Sequence, residues 1–72
     1  MPRYHFDLVD SKTVVDEGGA ELPDDIDALD VAEEIARRLL GERPELKGRH
    51  FYILVTNEDG EEIGRMPLDV LH

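Results

Sequence analysis

The chain has 72 residues, no cysteine, and 18 Asp and Glu against 8 Lys and Arg, a formal net charge of -10. That length holds one small domain with no disulfide to brace it. The charge repels nucleic-acid phosphates and anionic membrane surfaces, so neither is an expected partner, whereas a cationic protein would be steered in.

Tyr4, Phe6 and Leu8 alternate with Arg3, His5 and Asp7, the period-2 signature of a half-buried strand over about 3–9. Asp10-Ser11-Lys12 reads as a turn and Thr13-Val14-Val15 as a short return strand, over about 12–16. Paired glycines in Asp16-Glu17-Gly18-Gly19 predict that this strand ends in a loop. Glu21-Leu22-Pro23 is an extended lead-in, because the residue before proline is pushed out of the helical region.

A helix is expected over about 24–41. Asp24 can cap it, with Asp27 three residues on. Ala28, Leu29, Ala32, Ile35, Ala36, Leu39 and Leu40 fall on one face at helical spacing. Glu33–Arg37 and Glu34–Arg38 are acid-first i,i+4 pairs, and acids before arginines suit the helix dipole. Gly41 is placed to end the helix and Pro44 prevents its continuation.

After a loop at Pro44–Gly48, His50–Thr56 is rich in aromatic and β-branched residues and predicts a third strand, over about 50–56. Asn57-Glu58-Asp59-Gly60 is a tight-turn signal, a fourth strand follows over about 61–66, and Pro67 closes it. Leu68 to Leu71 is expected to pack loosely. The pattern is α+β, β-β-α-β-β, with a four-stranded antiparallel sheet, one amphipathic helix on one face, and strand order 2-1-3-4 as the arrangement that makes every neighbouring pair antiparallel.

One helix covers one sheet face. With Tyr4, Phe6, Leu8, Phe51, Ile53 and Val55 turned to it, the open face presents Arg3, His5, Val9, Tyr52 and Leu54. Such a mixed apolar and aromatic face is an interface candidate, and self-association through it would enlarge a small core.

No catalytic constellation accompanies these elements. Asp24, Asp25, Asp27 and Asp30 sit at a helix start, where capping accounts for them. Asn57–Glu62 would need ligands at Val55 and Met66 to act as a calcium loop. His5 and His50, on neighbouring strands near Asp7, could form a two-histidine site, but no ligand spacing supports it; His72 is the third imidazole. The hydroxyls of Ser11, Thr13, Thr56, Tyr4 and Tyr52 lie in no nucleophile context, and so small a domain leaves little room for a pocket.

The opening MPRY, DEGGAELPD, the helix ending in ARRLL and the NEDG turn resemble small alphaproteobacterial proteins, often rhizobial, that carry a domain of unknown function. The resemblance spans Met1 to about Pro67. His5 stands where that group usually has an aromatic residue, and the Glu42–Leu46 connection differs. The group has no assigned activity, so the resemblance implies a shared fold and no catalytic residue.

The sequence thus predicts a non-enzymatic interaction or adaptor module acting through Arg3, His5, Tyr52 and Leu54, with no catalytic, metal or cofactor site. Its partner is a protein, a second copy of itself included. The alternative is an acidic mimic of nucleic acid that occupies a basic nucleic-acid-binding protein. Met1–His5 contains no apolar run of signal-peptide length, and the longest, Phe51–Val55, is too short to span a bilayer, so the expected location is cytoplasmic.

Overall fold

A computed structural model describes residues 1–70. Leu71, the last residue of the expected loose end, and His72, the third imidazole, lie outside it. The elements are β1 (Arg3–Val9), β2 (Val14–Glu21), α1 (Asp25–Glu42), β3 (Tyr52–Thr56) and β4 (Glu62–Pro67). Short 3-10 turns occupy Pro44–Leu46 and Leu68–Val70. The sheet is antiparallel throughout in the order β2-β1-β3-β4, as the pattern of elements predicts.

The core lies between the sheet and α1. Tyr4, Phe6 and Leu8 of β1, Ile53 and Val55 of β3, and the neighbouring Phe51 bury against Ala28, Ala32, Ile35, Ala36 and Leu39 of the helix. The three alanines let the helix backbone approach the sheet closely, and the larger strand residues fill the space beside them. Leu46 and Leu68 are also fully buried, and Leu68 N–H donates to the Phe51 carbonyl at 3.0 Å. The segment starting at Leu68 is therefore part of the core at its first residue, where loose packing was expected.

Three local features differ from the sequence pattern. β2 continues through Gly18 and Gly19 to Glu21, so the paired glycines lie inside a strand. A bulge at Glu17 accommodates them: Phe6 pairs with Gly18, while Asp7 pairs with Asp16. Gly18 takes φ +109°, and a Cβ on Gly19 would lie 2.9 Å from the Tyr4 carbonyl oxygen. Secondly, α1 runs through Gly41 to Glu42, with Arg43 as its C-cap, and no basic residue lies in its last turn. Gly41 has no positive φ, so it does not terminate the helix. Thirdly, Arg37 pairs with Glu33 at 2.8 Å as expected, but Arg38 leaves Glu34 and reaches Glu17 on β2 at 3.8 Å.

At the helix start Asp24 caps as expected, its Oδ1 accepting from Asp27 N–H at 3.0 Å. Both hairpin turns are held by an Asx carboxyl or amide oxygen. Asp10 Oδ1 accepts from Lys12 and Thr13 N–H at 2.8 and 2.6 Å, and Asn57 Oδ1 accepts from Asp59 and Glu61 N–H at 3.0 and 2.9 Å.

Candidate functional site

The strand register writes the open face as rows that cross the sheet, because directly opposed residues of antiparallel strands share a face. Val14, Val9, Tyr52 and Pro67 form an apolar row across all four strands. Next to it runs Asp16, Asp7, Leu54 and Arg65, then Gly19, His5, Thr56 and Glu62. Arg3, paired with Glu21, stands beyond them on β1.

Of the expected face residues, His5, Tyr52 and Leu54 are half-buried and Arg3 is exposed. Val9 is buried although it belongs to this face, flanked in register by Val14 and Tyr52. Val14, 70% exposed at the sheet edge, extends the apolar row into solvent. Arg65, which the sequence did not single out, lies over the Tyr52 ring with its Cζ 5.0 Å from the centroid. Its Nε and Nη2 donate to the Glu62 carboxylate at 3.0 and 3.1 Å, which raises its pKa further and fixes its plane. Spacing from the NEDG turn does not announce Arg65, because a bulge at Ile63 shifts the register so that Thr56 pairs with Glu62 and Leu54 with Arg65.

The open face is polarised. Asp7 and Asp16 lie at its β2 side, and Arg65 at its β4 side. His5 Nε2 is 3.0 Å from Asp7 Oδ1 and 3.7 Å from Asp16 Oδ1, so one imidazole bridges two opposed carboxylates. Their donor atoms lie within 4.8 Å of one another. An imidazole with two carboxylates is a donor set suited to first-row divalent ions more than to Mg²⁺ or Ca²⁺, and the hydrogen bond between His5 and Asp7 itself accounts for their close approach. Asp16 was missed because the glycines after it read as a loop; it stands opposite Asp7 in the regular register that runs from the Asp10–Thr13 turn, ahead of the bulge at Glu17. His50 is not part of this cluster. It lies before β3, exposed, 3.4 Å from Asp69, so the two-histidine arrangement does not form.

On the other side of the sheet, a cleft of about 400 Å³ separates β2 from α1. It is walled by Phe6, Ala20, Val31 and Ile35, and Glu17 and Arg38 meet across it. The helix packs over β3 and β4, and the glycines of β2 supply no side chains to close the gap. The domain thus has more room than its length suggests. Glu17, Glu34 and Arg38 are the ionisable groups lining this cleft.

Among the described residues no helix is long and apolar enough to cross a membrane. The fold and face together define a class: a small acidic α+β domain with one sheet face uncovered. The chain belongs to the family described as Domain of unknown function (DUF6894), whose model matches residues 3–69. The match takes in all four strands and the helix. No curated protein and no solved structure matches the chain.

Proposed function

We propose that this chain is a non-enzymatic protein-binding module whose binding surface is the open face of its sheet. The observation that carries this reading is the unbroken apolar row Val14–Val9–Tyr52–Pro67 beside the charged row Asp16–Asp7–Leu54–Arg65. An aromatic ring with a stacked arginine, set among aliphatic residues and bordered by charges, is the composition of interface hot spots. Arg3, His5, Tyr52 and Leu54 make the contact, joined by Arg65. Tyr52→Ala should weaken association at least tenfold with an unchanged far-ultraviolet circular dichroism spectrum; association at full strength would refute the reading.

The second reading is an acidic mimic acting through the outward helix face. Asp30 and Glu34 are exposed and Asp27 half-buried there, which supports it. Against it, Arg37 and Arg38 interrupt the acids within one turn of Glu34, paired to Glu33 and Glu17. A mimic predicts capture of a basic nucleic-acid-binding protein that is lost in moderate salt and in a Asp30→Asn, Glu34→Gln variant.

A further inference from the structure

We infer that the occupant of the open face is a second copy of this chain, docked about a two-fold axis that runs parallel to the strands. The inference rests on the proposed binding face and names its partner.

The argument is one of self-complementarity. Rotation by half a turn about an axis along the strands reverses the strand order across the sheet but keeps each row at its own height. β2 of one copy then lies over β4 of the other, and β1 over β3. The apolar row meets itself, placing Val14 over Pro67 and Val9 over Tyr52 of the second copy. In the next row Asp16 faces Arg65 and Asp7 faces Leu54. In the third, His5 faces Thr56, and Glu62 faces Gly19, the position without a side chain. The Arg3 guanidinium lies beside Gly19, within 3.6 Å of where a Cβ would stand, so Glu62 arrives next to a cation.

Each acid-rich side is thereby matched to the arginine side of its mate. An in-plane axis across the strands would instead invert the rows, setting the apolar row over the His5 row, and gains none of these pairings. The strand-parallel axis also suits the aligned packing of twisted sheets, about 10 Å apart at roughly 30°.

The charges available fit this role. Asp7 and Asp16 are directly opposed like charges, an unfavourable cross-strand pair. Among the described residues the side chain within bridging distance of both is the His5 imidazole, and no Lys or Arg lies that near. Arg65 uses its Nε and Nη2 on Glu62, and a guanidinium has five N–H groups, so donors remain for Asp16 of the mate.

Size sets the strength. Four strands spaced about 4.8 Å apart, and the five residues of β3 rising about 3.4 Å each, give a face of roughly 19 by 17 Å. Two such faces bury on the order of 1,000 Å² in all, the low end for specific association. Two bodies of charge -10 also repel each other. A reversible dimer, micromolar or weaker, is the result.

The test is a charge swap read by sedimentation equilibrium on the full chain without a tag, with circular dichroism to confirm folding. Asp16→Arg and Arg65→Asp should each weaken the dimer about tenfold, and the double variant should restore it to within about threefold of the unmodified chain. Tyr52→Ala should also weaken it. A chain that stays monomeric at millimolar concentration overturns the self-docking while leaving the open face for another partner. A dimer indifferent to Tyr52, Asp16 and Arg65 overturns both, because the contact then lies elsewhere. Loss in each single variant with no recovery in the double overturns the strand-parallel axis.

Discussion

Tyr4 of β1 donates its hydroxyl hydrogen to Asp25 Oδ1 at 2.7 Å, tying the first strand to the first turn of α1 across 21 positions of sequence. The ring is buried in the core while the hydroxyl reaches the helix end, so one side chain sets both the packing and the height of the helix over the sheet.

This bond has a signature in pH. The bond to Asp25, then burial and the neighbouring acids, push the Tyr4 hydroxyl up to about 12 from 10.0. A raised value means that the folded state holds the proton more tightly. The contribution to stability is therefore complete below pH 10 and is lost as pH rises through about 12. Ultraviolet titration of tyrosinate should show a step near 12 that Tyr4→Phe removes, and Tyr4→Phe should melt lower at neutral pH. A Tyr4 step at the ordinary value would contradict the bond.

At acid pH the corresponding group is Asp10. The N–H groups of Lys12 and Thr13 hold its carboxyl below the ordinary 3.8. A lowered value contributes stability above pH 3.8 that is lost as pH falls through the folded-state value. Acid unfolding followed by circular dichroism should begin at higher pH in Asp10→Ala, where the β1–β2 turn has lost its two side-chain bonds.

Two glycines separate backbone from side-chain constraint. Alanine at Gly19 meets the Tyr4 carbonyl oxygen at 2.9 Å, a backbone atom in mid-sheet, whereas alanine at Gly64 meets Leu29 Cδ2 at 2.9 Å, the end of a side chain that can rotate. Gly19→Ala should cost about 1–3 kcal/mol in urea unfolding and Gly64→Ala less than that. The reverse order would mean that β2 is not held in this register.

The core extends to the C-terminal 3-10 turn. Leu68→Ala should cost about 2–5 kcal/mol, since the side chain is fully buried. A domain of this length has roughly 4–11 kcal/mol in total, so the variant should be partly unfolded near physiological temperature. Chemical denaturation with an unchanged midpoint would place Leu68 outside the core.

The sequence carried most of this architecture in its hydrophobic periods. The alternation Tyr4, Phe6, Leu8 and the helical spacing Ala28, Ala32, Ile35, Leu39 each state which face is buried, and two hairpins around one helix leave few topologies. What it concealed was local backbone geometry. Gly18-Gly19 reads as a loop because glycine is poor in strands, yet here the glycines serve a bulge and a close backbone approach. That misreading also hid Asp16, which stands opposite Asp7 at the end of the regular register and just before the extra residue at Glu17. Arg38 reaches Glu17 because the bulge residue lines the cleft between β2 and α1, within 3.8 Å of the guanidinium. Arg3, His5, Tyr52 and Leu54 were legible as one face from alternation alone, while the pairing of Asp16 and Arg65 with it needed the register of both outer strands.

The open sheet face as a binding surface is tested most directly by quantitative capture with three forms of the full chain as bait: unmodified, Tyr52→Ala, and Asp30→Asn with Glu34→Gln. The prey is source-cell lysate supplemented with a differently tagged copy of the chain. The account predicts that the bound protein, the tagged copy foremost, is lost with Tyr52→Ala and retained with the helix variant. Retention with Tyr52→Ala and loss with the helix variant would contradict it and place the binding surface on the outward acids of α1.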